Sequence, residues 1–267
     1  MYDNCCKYLI ETFPTDFATW LLGRPIPLTQ LKPRELSNQP IHADALMLKG
    51  QDVVLHVEFQ TEPDPKIPLR LANYYLRLYQ KFPGKQIHQV VLYLRERDSP
   101  YVSQNKFETA VMVHRFNVVR LWEQPKALFW NSPGLLPLAM LSQAAQQNAE
   151  VLLRQTTQRI AEITQDQEMQ GSLEAATGVL AGLKLKPAII RQIIRSKAMR
   201  ESLFYQDILR EGREQGRQEG RREGRREGQL SVLRQIVPIL QGWGVPVERL
   251  LAIVGISIAE LGLDEEE

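Results

Sequence analysis

Apolar residues recur at spacings of three and four over residues 4–22, where Leu9, Ile10, Phe13, Phe17, Trp20 and Leu21 predict a helix closed by Gly23, Arg24 and Pro25. Residues 26–36 could form a first strand, weakened by Pro27 and Pro33. The clearest strands are residues 41–49 and 53–60, with a hairpin turn signal at Lys49-Gly50-Gln51-Asp52. Residues 66–82 follow as an amphipathic helix with Leu69, Ala72, Tyr75, Leu76 and Tyr79 on one side. Residues 88–94 and 110–122 then predict buried strands. This order predicts an α/β domain over residues 1–130, a mixed sheet flanked by helices. Beyond it the pattern turns helical: a helical region at 131–209, a charged Gly/Arg/Glu tract at 210–228, and a small helical module at 229–267 interrupted by Pro238, Gly242 and Pro246.

Alternation also sets an expected register for the hairpin. Ile41, Ala43, Ala45 and Met47 form one apolar set, and Val53, Leu55, Val57 and Phe59 another. If both sets face one core, opposed residue numbers sum to an even value, and a three-residue loop Gly50-Gln51-Asp52 places Asp44 opposite Glu58. The other face then carries His42, Asp44, His56, Glu58 and Gln60. Opposed Cβ atoms lie about 4.5–5.5 Å apart, and two carboxylates that close repel unless a cation sits between them. Mg²⁺ suits such a pair and can activate water against a phosphodiester. The bland alternative is a solvated sheet face.

Composition narrows the field only slightly. The net charge of +2 draws no nucleic acid to the whole molecule, so DNA contacts would have to be local. Cys5 and Cys6, adjacent and without metal-ligand spacing, are expected to be small buried residues. No apolar run is long enough to span a membrane, and the N-terminus lacks a secretion pattern, so a soluble cytoplasmic protein is expected.

Four stretches together resemble the Rpn family, recombination-promoting nucleases with transposase-related members in the PD-(D/E)XK superfamily. They are Tyr2-Asp3-Asn4-Cys5-Cys6-Lys7-Tyr8-Leu9, His42-Ala43-Asp44-Ala45-Leu46, Leu55-His56-Val57-Glu58-Phe59-Gln60, and the helix from Arg70 to Tyr79. The repeated Glu-Gly-Arg tract is also common in such proteins. The resemblance covers roughly residues 1–130. It implies a PD-(D/E)XK nuclease-like sheet, with Asp44 and Glu58 as ligands of Mg²⁺ (or Mn²⁺) and Gln60 at the third motif position. There the superfamily usually has a lysine; glutamine can hydrogen-bond a water but brings no charge.

Arg70, Tyr74 and Arg77 share a helix face and are candidates for gripping phosphate. Glu11 is either a helper carboxylate or a solvent-facing helix charge. The expected function is metal-dependent DNA hydrolysis, linked through the resemblance to recombination or mobile elements. The alternative is a catalytically silent protein of the same fold that binds DNA or assembles with protein. Self-association is expected through the helical C-terminal half.

Overall fold

The computed structural model describes residues 2–31, 45–247, 251, 253 and 256. The chain forms two compact units, Met1–Ile208 and Leu209–Glu267. The expected positions Asp44 and His42, and residues 32–36 of the 26–36 segment, lie outside the described residues.

The first unit is α/β. Where the sequence predicts one helix at its start, there are two: α1 (Tyr2–Thr12) and α2 (Pro14–Leu22). Pro14 explains the break, because its ring disfavours helical backbone at the residue before it, and Phe13 sits at φ −124°, ψ 54°. Gly23, at φ 73°, closes α2 in the left-handed conformation. The strands β1 (Thr29–Gln30), β2 (Ala45–Lys49), β3 (Val53–Gln60), β4 (Gln86–Tyr93) and β7 (Asn117–Arg120) make one sheet in the order β1-β2-β3-β4-β7. The β1–β2 and β2–β3 pairs are antiparallel; β3–β4 and β4–β7 are parallel. The helix α3 (Ile67–Lys81) makes the crossover from β3 to β4. The expected single strand at 110–122 is divided. Its first part, β6 (Val113–Arg115), pairs with β5 (Lys106–Glu108) in a separate hairpin, and only β7 joins the main sheet.

The hairpin register departs from the expected one. Ala45, not Asp44, lies opposite Glu58, and Met47 lies opposite His56. The Gly50 amide donates to the Val53 carbonyl, so two residues, Gln51 and Asp52, form the loop. One residue fewer in the loop changes the parity, and the core partners of Val53, Leu55, Val57 and Phe59 become Leu46 and Leu48. A Cβ on Gly50 would meet Val53, Ile26 and Leu28 at 3.0–3.2 Å, so this position is glycine for close approach.

Both faces of β3 are covered, and all eight of its residues are buried. Its odd-numbered residues join the main core with α1, α2, the 3₁₀ turn Leu136–Leu141, α4 (Gln143–Ile163) and α5 (Gln167–Ala181). That core runs past residue 130, so the helical region completes the sheet's apolar layer. Cys5 and Cys6 are part of it, both free, with burial pushing their thiols up. The even-numbered face of β3 looks toward α3. Here the helix turns the opposite way from expectation: Ile67, Leu71, Tyr74 and Leu78 are buried with Ala72, while Leu69, Leu76 and Tyr79 are exposed. The short helices α6 (Pro187–Ile193) and α7 (Lys197–Glu201) complete this unit up to the start of α8.

The helix α8 (Leu203–Gly242) contains the whole charged tract and continues through Pro238, where the sequence predicts a break. In the second unit Leu233 and Val237 of this helix pack with Val247, Leu251 and Ile256, which holds the helix together around the proline. The described residues of the tract are exposed. Each of its glycines disfavours helix by about 1 kcal/mol relative to alanine.

Candidate functional site

Three of the expected site residues converge on one point. Glu58, with no solvent exposure, receives the Arg70 guanidinium on both oxygens. Nε donates at 3.1 and 3.2 Å and Nη2 at 2.7 Å to Oε2. Gln60 Nε2 lies 3.4 Å from Glu58 Oε2. The fourth member was not anticipated from sequence: Asp64, in the loop between β3 and α3, accepts from Arg70 Nη1 at 2.9 Å. Its side chain is one-third exposed and Arg70's is 11% exposed, so the cluster opens to solvent on the Asp64 side.

Local structure explains this convergence. Successive even positions of β3 point to the α3 face, which aligns His56, Glu58 and Gln60. Arg70 lies in the first turn of α3, and Asp64 fixes that turn by accepting from the Lys66 amide at 2.8 Å. The cluster therefore sits at the carboxyl ends of the parallel strands β3 and β4, where open α/β sheets characteristically bind ligands.

Electrostatics follow from burial and pairing. Burial opposes charge on Arg70, but its bonds to Glu58 and then Asp64 outweigh that and hold it fully protonated. Burial also pulls the Asp64 carboxyl upward, yet the Lys66 amide and Arg70 bring it below its usual value. Tyr93, at the end of β4 beside Gln60, is pushed up to about 12 by burial and then by the charges of Asp64 and Glu58.

Behind Glu58 lies a buried polar relay. The Gln89 amide donates to the Leu71 carbonyl at 2.9 Å and approaches His56 Nδ1 at 2.9 Å, while its oxygen lies 2.7 Å from His114 Nε2. With both amide hydrogens so used, His56 Nδ1 is the acceptor and its proton resides on Nε2. That Nε2 has no hydrogen-bond partner among the described residues and lies 3.8 Å from Glu58 Oε1. Burial, then Arg70, lowers the His56 pKa to about 3, so the ring is neutral. The sequence signal for this relay was available: Gln89 is a polar residue within a strand otherwise expected to be buried. Asp64, in a loop, leaves no periodic trace.

The remaining candidates are placed differently. Tyr74 is buried, edge-on to His56 with centroids 5.2 Å apart, and the Arg77 guanidinium lies 5.3 Å from the Tyr74 ring. Glu11 is exposed and accepts from Gln30 at 2.7 Å. Among the described residues no three or more His, Cys, Asp or Glu side chains group to hold a metal ion; Asp44 lies outside that set. A separate groove of about 630 Å³ runs by β7, lined by Trp20, Leu21, Phe116, Asn117 and Arg120 among others, and includes no member of the Glu58 cluster. Among the described residues no helix is long and apolar enough to cross a membrane. The chain matches no family model, no curated protein and no solved structure.

Proposed function

We propose that the chain is a Mg²⁺-dependent DNA endonuclease of the PD-(D/E)XK type, with Glu58 as one metal ligand and, on the family resemblance alone, Asp44 as the other. The observation that carries this reading is Glu58 itself: a fully buried carboxylate at the carboxyl end of a central strand, with Gln60 beside it. Carboxylate oxygens suit Mg²⁺, and Mn²⁺ would be accepted by the same donors. The bound ion would supply Lewis-acid stabilisation of charge on the phosphodiester and a more acidic water. Gln60 orients the attacking water through its amide. Arg70, already shared with Asp64, has a second anchor when it leaves Glu58, and from there it can face a phosphate. A setting in recombination or mobile elements comes from the family resemblance.

A second reading is a silent nuclease-like protein that binds DNA or assembles with protein. One observation favours it: Arg70 occupies both oxygens of Glu58. Cleavage of supercoiled plasmid in Mg²⁺ or Mn²⁺ decides between them. The nuclease reading expects nicking or linearisation that EDTA stops and that Asp44→Ala and Glu58→Gln each abolish, with folding verified by circular dichroism. Cleavage that persists in EDTA, or is unchanged in both variants, overturns it. DNA binding without cleavage in either metal selects the silent protein.

A further inference from the structure

The helix α8 carries features that the described residues of its own chain do not use. Glycine occupies every fourth position from Gly212 to Gly228, and the same row continues as Val232 and Ile236. A Cβ on any of these five glycines would meet nothing within 4 Å, and none has a positive φ. Neither local crowding nor backbone conformation calls for glycine, which is the poorest helix former after proline. Val232 and Ile236 are 54% and 42% exposed, and Ile239 and Trp243 extend the exposed apolar face. The adjacent row, about 90° round the helix, is the one packed in the second unit, through Leu233 and Val237.

Charge is ordered around the same row. Four residues advance an α-helix by one turn plus about 40°, so rows at this spacing run side by side along it. Directly after each of the first four glycines comes an arginine: Arg213, Arg217, Arg221 and Arg225. Directly before Gly220, Gly224 and Gly228 comes a glutamate: Glu219, Glu223 and Glu227. The arginine row therefore flanks the glycine row on one side, about 90° away, and the glutamate row flanks it on the other. These flanking side chains are exposed, and Arg217 also reaches Glu214 of its own helix.

We propose that this row is the docking face for α8 of a second copy of the chain, arranged parallel. A two-fold axis along the helices turns the arginine side of one copy onto the glutamate side of the other. The antiparallel alternative, related by a perpendicular two-fold, sets arginine against arginine and glutamate against glutamate. Charge complementarity thus selects both the partner and its direction. The glycines let the two backbones approach closely, as small residues at every fourth position do between helices, with ridges of that spacing interdigitating. Because the row turns about 40° every four residues, the contact spans about three turns, from Gly220 through Gly228 to Val232, whose side chains meet across the axis and lose their exposure to water.

Sedimentation equilibrium on the full chain tests this. The expected species at micromolar concentration is a dimer, with no nucleic acid present. Gly220→Leu fills the row while favouring helix, and Val232→Glu charges its apolar end; each is expected to raise the dissociation constant by about tenfold or more, with helical circular dichroism kept. Gly224→Cys and Gly228→Cys, prepared separately, are each expected to form a disulfide between like positions under mild oxidation. Arg222→Cys, on the outward side, is not. A monomeric wild type, a dimer indifferent to both substitutions, or cross-links only between unlike positions overturns the proposal. So does a chain that pairs only when DNA is added, which would assign the arginine row to nucleic acid.

Discussion

Removing the Arg70 guanidinium tests the electrostatic core of the candidate site. In Arg70→Leu, Glu58 keeps no solvent exposure but loses the donor that serves both its oxygens. What remains is Gln60 at 3.4 Å, a long contact, and a neutral His56 at 3.8 Å. Breaking a buried ion pair from one side costs about 3–5 kcal/mol, because a charge is left without compensation. Removing both partners, in Glu58→Leu/Arg70→Leu, should cost less than Arg70→Leu alone, since no charge is stranded. The assay is urea unfolding followed by tryptophan fluorescence in a Trp243→Phe background, where the three remaining tryptophans, Trp20, Trp122 and Trp130, all belong to the first unit. A loss below about 1 kcal/mol near neutral pH, the range of surface pairs, would refute the reasoning.

Three further outcomes are expected. His56 has its folded pKa lowered to about 3 from 6.5. Between those values the unfolded chain holds a proton that the folded chain lacks, so stability declines as pH falls from 6.5, by up to about 1.4 kcal/mol per pH unit, and His56→Gln should flatten that slope in urea titrations. In Gly171→Ala the new Cβ would fall 2.2 Å from the Ala198 carbonyl oxygen, forcing α5 from α7 at a cost of about 1–3 kcal/mol. A calorimetric melting temperature equal to wild type would contradict that placement. Gln60→Lys should fold and keep or raise cleavage in Mg²⁺, because its amine can reach the same carboxylate; thermal unfolding with and without Mg²⁺ checks it, and a large loss in both would make Gln60 a packing residue.

Parity along β3 was legible in the sequence, since its odd residues are apolar and its even residues include His56, Glu58 and Gln60. The partner strand was less legible. β2 offers two apolar sets, Ala45 with Met47 and Leu46 with Leu48, and only the loop length chooses between them. The helix α3 poses the same ambiguity in another period. Leu69, Leu76 and Tyr79 make as good an apolar stripe as Ile67, Leu71, Tyr74 and Leu78, and only the sheet beneath decides which is buried. Glu58 could be chosen by its place in the strand, and Arg70 by its spacing to Tyr74 and Arg77. That they pair with each other, twelve residues apart, depends on how the crossover returns α3 over β3, which no local pattern encodes.

Buried polar groups on one face of a central strand need a cause beyond stability. Well-packed apolar residues in place of a buried ion pair are often neutral or stabilising. The even face of β3 nevertheless carries His56, Glu58 and Gln60, extended by Gln89 and His114 into a network whose His56 Nε2 has no partner among the described residues. An apolar layer would serve the sheet at least as well, as it does on the odd face. The network is also not closed: it reaches the surface at Asp64, at the carboxyl ends of β3 and β4. A polar arrangement kept only to fix strand register would have no reason to open there. The proposed site, which would exchange Arg70 for a metal ion at Glu58 and admit a phosphate beside Arg70, requires that opening, whereas packing alone does not.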